Sequence, residues 1–263
     1  MLLVIDIGNT NTVIGIYKNE NLEARFRVAT DLKSTSDQLV ATLFNMFLIH
    51  EIDLKEIRDT IISCVVPDVL YNWQSANRKL FDKEARVVDY DTYTGITIDY
   101  ENPSEVGADR IVDSVAAYEK YGGPSIVVDM GTAITLDVIT SDGRYLGGSI
   151  APGIRIAQDG LFGKTAKLPK IELKEPTTAI AESTSEAINA GIVIGYIGMI
   201  DKLIETIEDE IVERLGIEKS EINVIATGGF SELISQSSKY INTIEPDLML
   251  EGLRVIYDRN SQN

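Results

Sequence analysis

Residues 4–17 read "VIDIGNTNTVIGIY", an apolar run that ends at one carboxylate, Asp6, and resumes after a polar turn. An ionised Asp at the edge of a core costs free energy unless a charged or hydrogen-bonding group meets it there. A hairpin in which Asn and Gly supply the turn, and the Asp accepts backbone N–H groups, explains the stretch as well as a functional turn does. This stretch alone therefore leaves both interpretations open.

A second stretch repeats the first. Residues 127–139 read "VVDMGTAITLDVI", which has the same order of β-branched run, Asp, Gly, small polar residues and β-branched run. Asp129 lies close to half the length of the 263-residue chain after Asp6. A strand–turn–strand unit that recurs at this spacing predicts two like α/β domains with a cleft between them. We place the domains at residues 1–113 and 114–263; two unrelated hairpins are the alternative.

The remaining pattern is typical of two mixed α/β halves. A capping box at Thr35 and Gln38 predicts the start of an amphipathic helix that runs through Phe47. Alternating and β-branched runs predict strands at 2–7, 12–17, 24–30, 59–67, 84–90 and 222–230, and a meander over 126–151. Further helices are predicted over 104–121 and 186–215.

A third glycine turn, "ATGG" at 226–229, joins a predicted strand to a helix. The free N–H groups at a helix N-terminus favour negative charge, so three such turns together predict a nucleotide pocket. An ordinary strand-to-helix connection also needs glycine there. The "GKT" of residues 163–165 does not complete a P-loop, because position 158 is Gln158 instead of Gly.

Composition limits the function classes. Hydrophobic residues make up 44% of the chain and charged residues 25%, as in soluble globular proteins. The formal net charge of −17 argues against nonspecific binding to nucleic acid or anionic membranes. The longest apolar stretch, residues 191–200, is too short to span a bilayer, and no secretory signal is recognisable, so we expect a cytoplasmic protein. We expect Cys64 to be a small core residue.

The candidate catalytic groups are few. His50 is the only histidine and lies near the end of the first predicted helix, so imidazole catalysis has little support. General-base chemistry therefore falls to a carboxylate. Asp109 and Arg110 lie near the start of a predicted helix, and taken alone the pair is better explained by an Asp that stabilises the helix dipole and a solvated Arg.

Five motifs carry a family resemblance. They are "DIGNTNT" at 6–12, "GADR" at 107–110, "DMGTAIT" at 129–135, "GGSIAPG" at 147–153 and "ATGG" at 226–229. In this order they resemble the type III pantothenate kinases of the acetate and sugar kinase/Hsc70/actin superfamily. The resemblance implies two ribonuclease H-like, actin-like ATPase domains and the ATP-dependent phosphorylation of pantothenate, the first step toward coenzyme A. It also implies a homodimer, magnesium and a monovalent cation, K⁺ or NH₄⁺.

The resemblance also implies roles for single residues. Asp109 resembles the catalytic base, Asp6 a magnesium-binding residue and Asp129 the residue that coordinates the monovalent cation. The implied ATP-binding residues are Asp6, Ile7, Gly8, Asn9, Thr10, Asn11, Thr12, Val13 and Thr132. The implied substrate-binding residues are Tyr100, Gly107, Ala108, Asp109, Arg110 and Thr184. Thr184 follows Ser183, where the family pattern has Asn.

Two other functions fit parts of the pattern. Another small-molecule kinase or a phosphohydrolase of the same superfamily would carry the same phosphate turns. A non-catalytic regulatory relative would keep the fold, although intact Asp6, Asp109 and Asp129 favour a working enzyme. Gly191, Gly195 and Gly198 recur at helical spacing and predict close helix packing, as across a dimer.

Overall fold

The computed structural model describes residues 1–165 and 168–261. The first eleven strands and helices begin with a β-meander of three strands and continue as α/β units. In chain order, the elements up to the middle of the chain are β1 (Leu2–Ile7), β2 (Asn11–Lys18), β3 (Asn21–Ala29), α1 (Ser36–Ile49), β4 (Asp59–Cys64), α2 (Pro67–Phe81), β5 (Arg86–Val87), β6 (Thr97–Ile98), α3 (Ala108–Tyr121), β7 (Ser125–Met130) and β8 (Ala133–Ile139).

The later elements follow the same pattern of strands and then helices. They are β9 (Arg144–Pro152), α4 (Ile154–Gly163), α5 (Thr184–Leu215), β10 (Asn223–Thr227), α6 (Ser231–Ser235), β11 (Thr243–Ile244) and α7 (Leu248–Ser261). Single turns of 3₁₀-helix lie at Leu54–Glu56, Pro103–Glu105 and Lys219–Glu221.

Two sheets of the same topology confirm the predicted internal repeat. One has the strand order β3-β2-β1-β4-β5, and the other contains β9-β8-β7-β10-β11 in the equivalent order. In each, the first three strands form an antiparallel meander and the fourth lies parallel to the first. Asp6 and Asp129 occupy equivalent positions, because β1 and β7 have the same pattern of buried residues. The chain therefore contains two ribonuclease H-like domains.

The contacts divide the chain into two compact units, Met1–Glu119 with Leu248–Asn263, and Lys120–Asp247. The predicted boundary after residue 113 differs from this division, since it falls inside α3. Close packing explains why the C-terminal helix α7 belongs to the first unit. A Cβ atom at Gly252 would overlap the carbonyl oxygen of Val112, so the glycine lets α7 approach α3 closely.

In the first unit, successive side chains of β1 project from opposite faces of the sheet. Leu3, Ile5 and Ile7 project into one apolar cluster, so Asp6 projects from the opposite face of the sheet. The predicted capping box at the start of α1 is confirmed, because the Thr35 side chain accepts from the Gln38 N–H and the Gln38 side chain accepts from the Thr35 N–H. The predicted strand over 84–90 is only two residues long, and α2 and α7 were not predicted.

The second unit packs its sheet against α5. Buried isoleucines of this helix, Ile200, Ile204 and Ile211, lie in the second apolar cluster. By length and composition α5 is able to cross a membrane, with a mean hydropathy of 1.5 over its most apolar window. The uninterrupted apolar run of residues 191–200 is one part of this helix, whose length and composition meet the criterion only when the whole helix is considered. Only a third of that window is buried, and a core helix meets the same test.

Candidate active site

The turn after β1 is closed by backbone and threonine hydrogen bonds. The N–H of Gly8 donates to the carbonyl oxygen of Asn11 at 3.1 Å. Thr30 at the end of β3 donates through Oγ1 to the Gly8 carbonyl oxygen at 2.7 Å, and its Oγ1 lies 3.0 Å from Thr12 Oγ1. The turn is therefore held in one shape by Thr30, a residue that the sequence analysis did not single out.

The structure limits what some predicted ATP-binding residues can contribute. The side chain of Ile7 is fully buried in the first core, and the hydroxyl of Thr12 is buried beside Thr30. Asn9 and Thr10 are exposed at the tip of the turn, and Val13 pairs with Asp6 in the sheet. Ligand contacts of Ile7 are thus restricted to its backbone. Exposed N–H groups and short polar side chains at the tip are suited to phosphate oxygens.

Asp6 lies at the end of β1, partly buried and next to β4. Its partner in the parallel register is Ser63, and Cys64 follows at the end of β4. Burial raises the pKa of the Cys64 thiol, and the charge of Asp6 adds to this increase. One carboxylate with neighbouring hydroxyls fits magnesium, which keeps several water ligands and binds through few protein groups.

Asp109 lies in the first turn of α3, where burial raises the pKa of its carboxyl group. The N–H of Arg110 donates to Asp109 Oδ1 at 2.9 Å and, with the Arg110 charge, opposes that increase. Arg110 is only 9% exposed, so the interpretation of Arg110 as a solvated helix residue was wrong. A Cβ at Gly107 would lie 2.5 Å from Asp109 Oδ1, which explains a small residue at the start of "GADR".

The other two predicted substrate-binding positions lie in different units. Tyr100 follows β6 in the first unit and is 38% exposed. Thr184 is the first residue of α5 in the second unit and is also exposed. Ala108, like Gly107, lies at the start of α3. The substrate roles of these residues stay predictions.

Three motifs meet at one end of the second sheet. Asp129 and Thr227 are partners in the parallel register of β7 and β10, and Gly228 follows directly. A Cβ at Gly131 would lie 3.1 Å from Asp129 Oδ2, and one at Gly228 would overlap Asp129 Oδ1. The carboxylate of Asp129 is therefore enclosed by two glycine turns.

The "GGSIAPG" motif reaches the same place through β9. Gly153 N–H donates to the Thr132 carbonyl oxygen at 3.1 Å, and a Cβ at Gly153 would overlap that oxygen. This close approach of the two backbones fixes the turn that carries Thr132. It lies at the point where α4 begins. The carboxylate of Asp129 supplies hard oxygen donors, which suit a monovalent cation. Within residues 1–165 and 168–261, no group of three His, Cys, Asp or Glu side chains forms a metal site.

A sequence model of type III pantothenate kinases matches residues 2–206 of this chain. The chain belongs to the type III pantothenate kinase family. The match covers β1, α3 and β7, which carry Asp6, Asp109 and Asp129, and it includes α4 and most of α5. A kinase that uses ATP and a small-molecule substrate follows from membership of this family.

Solved structures show the same fold at low identity. A protein from Campylobacter jejuni described as a Baf family transcriptional activator has a TM-score of 0.61 at 20% identity, over 99% of this chain and 100% of its own. The activator of 2-hydroxyisocaproyl-CoA dehydratase from Clostridium difficile, with bound ADPNP, has a TM-score of 0.52 at 11% identity, over 99% and 96%. A protein from Sinorhizobium meliloti described as a 2-dehydro-3-deoxygalactonokinase has a TM-score of 0.54 at 13% identity, over 99% of both chains.

Proposed function

We propose that this protein transfers the γ-phosphoryl group of ATP to the primary hydroxyl of pantothenate, which gives 4′-phosphopantothenate. The observation that carries the proposal is the partly buried carboxylate of Asp109 in the "GADR" motif of a chain in this family. Phosphoryl transfer requires positioned phosphates, charge neutralisation and a group that accepts the hydroxyl proton, without covalent catalysis by the protein. Each of these tasks has a candidate residue.

On the acceptor side, Asp109 accepts the proton from the attacking hydroxyl. A carboxylate whose pKa is raised by burial is a stronger base than a solvated one, and general-base efficiency increases as the pKa approaches the working pH. Arg110 has a planar fork of donors that suits the carboxylate or amide groups of pantothenate. Tyr100 and Thr184 are proposed to bind the same substrate.

On the nucleotide side, the turn from Gly8 to Thr12 binds phosphate oxygens through its N–H groups and hydroxyls. Asp6 holds magnesium, which neutralises developing charge on the phosphates when it is bound. Asp129 holds K⁺ or NH₄⁺ between its glycine turns, and Thr132 contacts the nucleotide. The residues present fit both ions, because the donors at each position are hard oxygen atoms.

The same proposal includes a homodimer in the cytoplasm. Gly191, Gly195 and Gly198 lie on the exposed side of α5, where an added Cβ would meet nothing within 4 Å. Small residues in this arrangement let the backbone of a second helix approach closely. Light scattering of the purified protein would measure the mass in solution, and a monomer at micromolar concentration would contradict the dimer.

A second candidate function is transcriptional activation, which the description of the Campylobacter jejuni protein favours. The formal net charge of −17 argues against direct contact of this chain with DNA, since nucleic-acid binding depends on neutralising phosphates with Lys and Arg. An activity assay and a DNA-binding assay on the same preparation would separate the two candidates.

The experiment is an acceptor panel assayed for ADP release with ATP and magnesium, with and without K⁺. Pantothenate is expected to be the preferred acceptor over sugars, sugar acids and water. Preference for a sugar or a sugar acid would support another kinase of the superfamily. ADP release that is independent of any acceptor would support a phosphohydrolase.

A further inference from the structure

Ser63 carries a buried hydroxyl group without a hydrogen-bond partner, a property that it shares, within the described residues, with the less deeply buried Ser235. The Ser63 side chain is fully buried, and within residues 1–165 and 168–261 its Oγ forms no hydrogen bond. By contrast, Ser114, Ser125 and Ser231 are also buried, and each donates to a carbonyl oxygen at 2.8 Å. A buried donor without an acceptor is costly, so such a group calls for an explanation.

The position of Ser63 in the sheet supplies an explanation for this hydroxyl group. In the parallel pair of β1 and β4, Ser63 is the register partner of Asp6. Register partners on neighbouring strands project from the same face of a sheet, with their backbones about 4.8 Å apart. The hydroxyl therefore lies beside the carboxylate at the point where the chain leaves the sheet for the phosphate turn. No position in the sequence motifs pointed to this pairing, because it depends on the register of two strands.

We propose that Ser63 is a positioning residue for Asp6, whose hydroxyl donates to the Asp6 carboxylate when magnesium and nucleotide are bound. The inference rests on the proposed role of Asp6 as the magnesium-binding carboxylate. Carboxylates that bind metals are commonly held by a further hydrogen bond, which fixes their orientation and tunes affinity. The Ser63 side chain projects from the same face of the sheet as Asp6, and within the described residues its hydroxyl donates to no other acceptor.

This role predicts an unusual combination of effects. Among the residues that the structure describes, the hydroxyl has no hydrogen-bond partner, so we expect its removal not to lower the stability of the protein without ligand. In the complex, the hydroxyl orients the carboxylate, so its removal weakens magnesium binding. A serine with a purely structural role would show the opposite combination, with lower stability and unchanged magnesium affinity.

The test compares Ser63→Ala with Ser125→Ala, a matched control in the second unit whose hydroxyl donates to the Gly122 carbonyl oxygen. Calorimetry measures binding of a non-hydrolysable ATP analogue over a magnesium titration, and a melting curve without ligand measures stability. For Ser63→Ala we expect magnesium binding to weaken about 10- to 100-fold with an unchanged or higher melting temperature. For Ser125→Ala we expect a lower melting temperature with unchanged magnesium affinity.

A double-mutant cycle with Asp6→Asn tests whether Ser63 acts through Asp6. We expect Ser63→Ala to have little further effect on magnesium affinity in the Asp6→Asn background, and a full additive loss would overturn the inference. So would unchanged magnesium affinity in Ser63→Ala while the unsubstituted protein binds the analogue with magnesium. Failure of the unsubstituted protein to bind the analogue with magnesium would instead refute the proposed function, and with it the role of Ser63.

Discussion

Gly228 leaves the space that the carboxylate of Asp129 occupies. A Cβ at position 228 would overlap Asp129 Oδ1 and would lie 2.6 Å from the backbone nitrogen of Met130. The φ angle of Gly228 is +90°, a conformation that L residues with a side chain rarely adopt. The turn after β10 therefore closes against the carboxylate at the end of β7 only because residue 228 is glycine.

Substitution of Gly228 tests this enclosure. We expect Gly228→Ala to displace the Asp129 carboxylate and to lower kinase activity, since the added methyl group and the positive φ both strain the turn. Gly160→Ala is the matched control, because a Cβ at this position of α4 meets nothing within 4 Å. Steady-state kinetics and melting curves of both variants provide the comparison. Equal activity in the two variants would contradict the enclosure.

The charge of Asp129 is tested separately from its surroundings. Asp129→Asn retains the shape of the side chain but removes the negative charge that we assign to the monovalent cation. A lost charged contact is worth roughly 1.5–3 kcal/mol, which corresponds to roughly a tenfold to hundredfold higher K⁺ concentration for half-maximal activity. The measurement is activity as a function of K⁺ concentration at constant ionic strength. An unchanged K⁺ titration would remove Asp129 from the cation site.

The Asp109→Asn variant tests whether Asp109 is a catalytic base or a residue that only stabilises the helix. An amide cannot accept the proton at neutral pH, so we expect kcat to fall by about 10²–10⁴-fold. Because a loose transition state requires little activation of the nucleophile, part of this loss would reflect the lost orientation of the hydroxyl. The variant is expected to retain ATP binding and much of its pantothenate affinity, which calorimetry measures.

The effect of Asp109→Asn on the stability of the folded state also has a predicted direction. Burial raises the pKa of Asp109 in the folded state, so the folded state binds its proton more tightly than the unfolded state. Stability therefore decreases as pH rises from the unfolded pKa through the folded pKa, and the ionised carboxylate is destabilising at neutral pH. We expect Asp109→Asn to melt at a higher temperature than the unsubstituted protein at pH 7. Near-normal turnover with a lower melting temperature would assign Asp109 to helix stabilisation.

Thr30 is expected to act on ATP through the phosphate turn. Thr30→Val retains the shape but removes the hydroxyl that donates to the Gly8 carbonyl oxygen. One such bond is worth about 0.5–1.5 kcal/mol, so we expect the KM for ATP to rise roughly twofold to tenfold with a smaller change in kcat. Thr206→Val is the control, since its hydroxyl donates to the Lys202 carbonyl oxygen in α5. A matching rise of the KM in both variants would contradict the role of Thr30.

The internal repeat could be predicted from the sequence because its signal is local. Each copy places an Asp at the end of an apolar strand and glycine in the next turn, and both meanders were confirmed. The capping box of α1 is equally local, since it involves residues three positions apart. Signals of this kind depend on neighbouring residues, so the chain carries them before it folds.

Contacts between distant segments could not be predicted in the same way. The hydroxyl of Thr30 reaches Gly8 from β3, and Ser63 lies beside Asp6 only through the register of β1 and β4. The C-terminal helix α7 belongs to the first unit because Gly252 permits close packing on α3. The predicted domain boundary assumed two continuous halves, whereas the chain returns to its first unit after residue 247.

The most direct test of the proposed function is identification of the reaction product. The purified protein is incubated with pantothenate, ATP and magnesium in potassium chloride, with a parallel reaction in sodium chloride, and the products are analysed by mass spectrometry. We predict 4′-phosphopantothenate and an equal amount of ADP in potassium chloride, with much less of both in sodium chloride. Absence of 4′-phosphopantothenate under both conditions, from protein that binds ATP, would contradict the account.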